Sequence, residues 1–96
     1  MRIEDVRSIA VIGSGIMGAG IAQVCAVAGY RVAMRDIGDA YLQKGMEAIK
    51  SSLKKGVERR KLTQELADEA VARIRTTLNL AEAVKEADVV IEAVPE

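Results

Sequence analysis

The chain has 96 residues, 14 basic and 14 acidic side chains, no histidine, one cysteine and only two aromatic residues, Tyr30 and Tyr41. That length holds one domain with an aliphatic core, and a net charge of zero argues against non-specific nucleic-acid binding, which needs a basic excess. A lone Cys25 excludes an intrachain disulfide and fits a reducing compartment such as the cytoplasm. One cysteine and no histidine argue against a protein-built zinc site and exclude histidine acid–base chemistry.

Residues 6–12 include the apolar run Ser8-Ile9-Ala10-Val11-Ile12, stopped by Gly13. A continuous run of this kind predicts a strand buried on both faces. It is far short of the roughly 20 residues a membrane-spanning helix needs, and the acidic start Glu4-Asp5 is unlike a signal peptide. Beyond the glycines, Met17, Ile21, Val24, Cys25 and Ala28 recur at helical spacing and predict one buried face, with Cys25 in the core. Gly29 stands where a helix ends. Residues 30–34 predict a second strand, closed by Arg35-Asp36. Residues 39–74 read as a helical hairpin. Its first helix is marked by Leu42, Met46, Ile49 and Leu53. Its second is capped by Thr63 and marked by Leu66, Ala70, Val71 and Ile74. Lys54, Lys55, Arg59, Arg60 and Lys61 make its tip basic, which also describes a solvated helix end. A brief strand at 76–78, a helix at 80–87 and an apolar strand at 88–94, stopped by Pro95, complete the chain.

Strands alternating with helices predict a parallel sheet wrapped on both faces. Right-handed crossovers give the strand order third, second, first, fourth. The fourth strand then lies at an open edge, a liability that predicts a further strand outside these residues. The expectation is an α/β, Rossmann-type doubly wound sheet with a helical hairpin between strands 2 and 3. Residues 1–96 would be the N-terminal part of an incomplete domain.

Gly13-Ser14-Gly15-Ile16-Met17-Gly18 has the spacing G-x-G-x-x-G between a strand and a helix. Alone, such a match also describes an ordinary strand-to-helix turn. In this setting each glycine has a physical role. Gly13 makes the turn, Gly15 lets a pyrophosphate approach the backbone, and Gly18 lets the helix pack on the sheet. The first helical turn offers unpaired N–H groups and the positive end of the dipole to that anion. Asp36, at the end of the second strand, is placed to accept hydrogen bonds from the adenosine ribose of NAD and to repel the 2′-phosphate of NADP. No arginine follows it in Ile37-Gly38-Asp39. A turn or helix-capping aspartate is its plainer reading.

Residues 9–23, from Ile9-Ala10-Val11-Ile12 through Met17-Gly18-Ala19-Gly20-Ile21-Ala22-Gln23, resemble the opening of the 3-hydroxyacyl-CoA dehydrogenase family. So does Asp88-Val89-Val90-Ile91-Glu92-Ala93-Val94-Pro95-Glu96. The resemblance implies NAD-dependent interconversion of an (S)-3-hydroxyacyl-CoA and the 3-ketoacyl-CoA, in fatty-acid β-oxidation or butyrate-type metabolism. It implies that Gly13, Ser14, Gly15, Ile16, Met17 and Gly18 form the pyrophosphate turn and that Asp36 holds the ribose. Glu96 matches an acid near the nicotinamide, and is equally readable as a solvated carboxylate. Ser52 matches a coenzyme A contact. Arg59 stands where a lysine is expected, and the two cations bind phosphate differently. The family's catalytic base is a histidine supported by a glutamate, further along the chain, and a helical dimerisation domain follows the nucleotide-binding one. Neither base nor second domain is in this sequence, so these residues alone are expected to be inactive and the whole protein a homodimer. The other readings are a β-hydroxyacid dehydrogenase relative acting on small acids, and a dinucleotide-binding module without chemistry.

Overall fold

The computed structural model describes residues 2–93. After a 3₁₀ turn at Ile3–Asp5 come β1 (Ser8–Ile12), α1 (Ile16–Val27), β2 (Arg31–Arg35), α2 (Asp39–Glu58), α3 (Gln64–Ala72), β3 (Ile74–Thr77), α4 (Leu80–Lys85) and β4 (Val89–Glu92). The four strands are parallel and ordered β3-β2-β1-β4. This is the order expected from right-handed crossovers, with β1 central.

The two faces of the sheet are covered unequally. Ile9, Val11, Val32 and Met34 project to one side, where α1, α2 and α3 cover them with Ala22, Ala26, Ile49, Leu53 and Ala70. Ala10, Ile12 and Ala33 project to the other and meet Ala83, Val84 and Ala87, on or just after the short α4. β1 is buried on both faces, as its unbroken apolar run predicts. β4 alternates between half-buried and exposed residues. Its Val90, paired beside Ala10, is 48% exposed.

Three expectations require correction. The buried face of α1 is Gly18, Ala19, Ala22 and Ala26, not the stripe from Met17 to Ala28. Ile21 and Cys25 only flank the core, while Met17 is 67% and Val24 69% exposed. A helix that presents Cβ atoms and hydrogens to a sheet approaches it closely, and bulkier residues are then turned away. Burial still pushes the Cys25 thiol up from its ordinary pKa, which leaves it a poor nucleophile. Second, Ile74 belongs to β3 rather than to the hairpin, because it pairs with Val32 and the Arg73 carbonyl accepts from the Val32 N–H at 2.9 Å. Third, α4 ends at Lys85. Val94, Pro95 and Glu96 lie outside the described residues.

The hairpin ends are built from local hydrogen bonds. Thr63 Oγ1 accepts from the Leu66 N–H at 3.1 Å and caps α3, as its position predicts. α2 closes with the Lys61 N–H on the Gly56 carbonyl at 2.9 Å and the Arg60 N–H on that of Val57 at 3.0 Å. This closure puts Arg60 at φ 58°, a left-handed conformation usually left to glycine.

Candidate dinucleotide site

At the carboxyl end of β1 the chain turns through Gly13, whose φ of 113° is open to glycine and strained for other residues. Its N–H donates to the Arg35 carbonyl at 2.7 Å and extends the β1–β2 ladder by one bond. α1 starts directly afterwards, with Gly15 as its N-cap and no side chain capping the first turn. The N–H groups at the start of such a helix have no intrahelical acceptors and face the turn. A Cβ added at Gly18 would lie 2.0 Å from the Gly13 carbonyl oxygen. The helix therefore begins in backbone contact with the turn. A Cβ at Gly15 would meet nothing within 4 Å, so this glycine borders open space. Ile16, 97% exposed, lines the opening, and Met17 beside it in sequence is 67% exposed.

Asp36 follows the last residue of β2 and reaches across to the turn. Its Oδ2 accepts from the Ser14 N–H at 2.9 Å and from the Ser14 hydroxyl at 2.6 Å, while Oδ1 accepts from the Ile37 N–H at 2.7 Å. Burial by itself would push this carboxyl up. The Ser14 hydroxyl, the Ile37 and Ser14 N–H groups and the Arg35 charge outweigh it and hold the carboxyl below the usual aspartate range. Arg35 is turned elsewhere, donating from Nε to the Leu78 carbonyl at 3.0 Å. Asp36 is thus an ionised acceptor beside the turn, with no arginine aimed at the same point from its own strand.

From the turn a groove of about 660 Å³ runs between α1 and α2. Gly15, Gly20 and Gln23 line one wall, and Tyr41, Lys44 and Ser52 the other. Gly45 brings α2 this close: a Cβ there would lie 2.7 Å from the Ser14 carbonyl oxygen. At the far end Gln23 Nε2 donates to Ser52 Oγ at 3.0 Å. Arg59 is the C-cap of α2, seven residues beyond Ser52 on the same helix stripe and about 10 Å along the axis.

Of the residues singled out from sequence, Gly13, Ser14, Gly15, Ile16, Met17, Gly18 and Asp36 meet at one place. Ser52 and Arg59 share a face of α2 leading away from it. Glu96 lies outside the described residues. The groove residues Gln23, Tyr41, Lys44 and Gly45 were not expected. Only Gly45 carries a sequence signal, since an interior glycine costs a helix about 1 kcal/mol and marks a close approach.

The family described as 3-hydroxyacyl-CoA dehydrogenase, NAD binding domain, matches residues 8–96. The chain is 50% identical over 93 residues to a fatty acid oxidation complex subunit alpha of Acinetobacter baylyi, covering 97% of this chain and 13% of the relative. It is 32% identical to the glyoxysomal fatty acid beta-oxidation multifunctional protein of Cucumis sativus, with the same coverage. The crystal structure of (S)-3-hydroxybutyryl-CoA dehydrogenase from Ralstonia eutropha superposes with a TM-score of 0.92 at 42% identity, over 96% of this chain and 32% of that one. The chain thus spans about an eighth of the curated relatives' length and a third of that structure. With the family matched from β1 onward, the chain belongs to the NAD-binding domains of the 3-hydroxyacyl-CoA dehydrogenases.

Proposed function

We propose that this chain holds NAD for an enzyme that interconverts (S)-3-hydroxyacyl-CoA and 3-ketoacyl-CoA thioesters in fatty-acid oxidation. The observation that carries the proposal is the meeting of an uncapped helix start, a glycine turn open at Gly15 and an ionised Asp36 at the carboxyl end of the central strand. NAD, when bound, supplies the acceptor for the hydride leaving the hydroxyl-bearing carbon. The backbone N–H groups from Gly15 to Gly18 hold its pyrophosphate, with the helix dipole favouring the negative charge. Asp36 accepts from a ribose hydroxyl and sets NAD over NADP. Ser52 and Arg59 receive the phosphates of coenzyme A, and the groove that leads from Ser52 to the turn gives the acyl-carrying arm a path to the cofactor. With no histidine among its residues, this chain is assigned binding and not the proton transfer. The unpaired Cys25 supports the cytoplasm as its compartment, and no helix among the described residues is long and apolar enough to cross a membrane. The family match favours thioesters over the small acids of β-hydroxyacid dehydrogenases.

Calorimetric titration with NADH and NADPH tests the cofactor assignment. NADH binds the parent more tightly, and Gly15→Val loses binding while the fold stays, because the new side chain points into open space that the pyrophosphate needs. Equal affinity for the two nucleotides would refute the role of Asp36. Parent-like NADH binding by Gly15→Val would refute the site. Oxidation of NADH with acetoacetyl-CoA by the whole enzyme, weakened in KM by Arg59→Ala, tests the thioester assignment.

A further inference from the structure

We infer that the Ser14 side chain is a positioning residue for Asp36: it fixes which carboxylate oxygen meets the adenosine ribose, and so sharpens the choice of NAD over NADP. The inference rests on the reading of Asp36 as the ribose acceptor. A carboxylate has about four lone-pair sites, two on each oxygen. Ser14 alone fills both sites on Oδ2, with its N–H at 2.9 Å and its O–H at 2.6 Å. On Oδ1 the Ile37 N–H takes one site at 2.7 Å. One acceptor site is left, on Oδ1, whose bond to the Ile37 N–H is exposed while the two Ser14 bonds on Oδ2 are part-buried. An ionised carboxylate donates nothing, so the Ser14 hydroxyl must be the donor in their bond.

Ser14 is itself held. It is 3% exposed, the one buried polar residue among the described residues. α2 passes so close that a Cβ at Gly45 would lie 2.7 Å from the Ser14 carbonyl oxygen and 3.1 Å from its Cβ. The hydroxyl is therefore a rigid donor seated between the end of β1 and α2. With the Ser14 hydroxyl absent, only the Ser14 and Ile37 N–H groups hold the carboxylate, and Oδ2 gains an open acceptor site that competes with Oδ1 for the ribose. Orientation toward the ribose is then reached only on binding, which weakens NADH. It also lets the negative charge swing aside from a 2′-phosphate, so NADPH is not weakened.

The test is a double-mutant cycle in the full chain with Ser14→Ala, Ser14→Gly and Asp36→Asn, read by titration with NADH and with NADPH. Both Ser14 variants remove the hydroxyl, so either serves if the other fails to fold, and a ratio of dissociation constants does not depend on the folded fraction. Each weakens NADH roughly 3- to 10-fold, the scale of one hydrogen bond to a charged group. NADPH affinity holds or rises, so the preference for NADH narrows by at least that factor. In the Asp36→Asn background the same substitutions have little further effect on the NADH-to-NADPH preference, because the charge they orient is gone. Equal weakening of NADH and NADPH, or a full effect in the Asp36→Asn background, would overturn the inference and place Ser14 in service of the turn backbone alone. If Asp36→Asn itself leaves NADH binding unchanged, the ribose reading falls first. If Asp36→Asn weakens NADH while the Ser14 variants match the parent, the ribose reading stands and the positioning role is lost.

Discussion

Two aspartates tie the two ends of the central strand. At its start, Asp88 Oδ2 accepts from the Arg7 N–H at 2.8 Å and the Ser8 N–H at 3.0 Å, joining the entry of β4 to that of β1. At its end, Asp36 Oδ2 accepts from the Ser14 N–H and hydroxyl. Both carboxyls are held below the usual range. For Asp88 the Arg7 and Ser8 N–H groups do this, against a smaller opposing effect of burial, and the Arg31 and Arg7 charges add less. For Asp36 burial opposes, and hydrogen bonds with the Arg35 charge prevail. The chemistry is nearly the same, yet the surroundings are not. Beside Asp36 a helix begins, with uncapped N–H groups and a groove leading off. In a parallel sheet the helices start at the carboxyl ends of the strands, so only that end offers positive dipole ends to an anion. An acid that fastens backbone is structural at one end of β1. At the other it also borders a groove, as the proposed ribose contact requires.

The strongest way to break the carboxyl end is at Gly18. Alanine there puts a Cβ 2.0 Å from the Gly13 carbonyl oxygen, and neither partner is a flexible side chain. Helix and turn must part, at a cost of at least about 3 kcal/mol, the top of the usual overpacking range. Gly18→Ala should therefore lower thermal stability steeply and abolish NADH binding, both measurable in one ligand-dependent melting series. A variant that melts and binds as the parent does would show that α1 does not start in contact with the turn.

Next come the two acids themselves. Asp36→Ala should weaken NADH roughly 10- to 100-fold, by loss of a charge-assisted hydrogen bond to the ribose. Asp88→Ala should leave NADH affinity unchanged and lower the melting temperature, since it frees the Arg7 and Ser8 N–H groups at the start of the sheet. Parallel titrations and melting curves decide the matter. If Asp88→Ala weakens NADH as much as Asp36→Ala, the two ends of the strand are not separable.

Much of this arrangement is legible from residues. Short apolar runs ending at Gly13, at Arg35-Asp36 and at Pro95 mark three of the four strands, and glycine spacing with Asp36 marks the site. The strand order then follows from handedness. Periodicity misplaces the buried face of α1 because it gives weight to large side chains. The packing distance is decided instead by the smallest ones, Gly18, Ala19, Ala22 and Ala26. Ile74 suits a helix stripe and a strand equally, and only its pairing with Val32 decides. The Ser14–Asp36 contact spans 22 residues and leaves no local signature, because a serine inside a glycine turn reads only as part of the pyrophosphate turn.

The smallest effect expected is the dependence of stability on acid, and it distinguishes the aspartates by ligand. A group whose carboxyl is depressed on folding contributes stability that is fully present above its unfolded pKa, about 3.9 for aspartate. That contribution is lost as pH falls through the depressed folded value. Both aspartates therefore leave stability flat near neutral pH and add to its fall below about pH 4. Asp88→Asn should remove part of that acid slope in melting curves recorded from neutral to strongly acid pH, with or without nucleotide. Asp36→Asn should do so as well. On the proposed reading, saturating NADH adds a ribose donor to ionised Asp36, which lowers its carboxyl further. The rise in melting temperature that NADH brings should therefore shrink as pH falls below about 4 in the parent, and equally in Asp88→Asn, but not in Asp36→Asn. An acid-dependent loss of that rise which survives in Asp36→Asn would mean that another group couples the cofactor to protons, and would remove the functional half of the comparison.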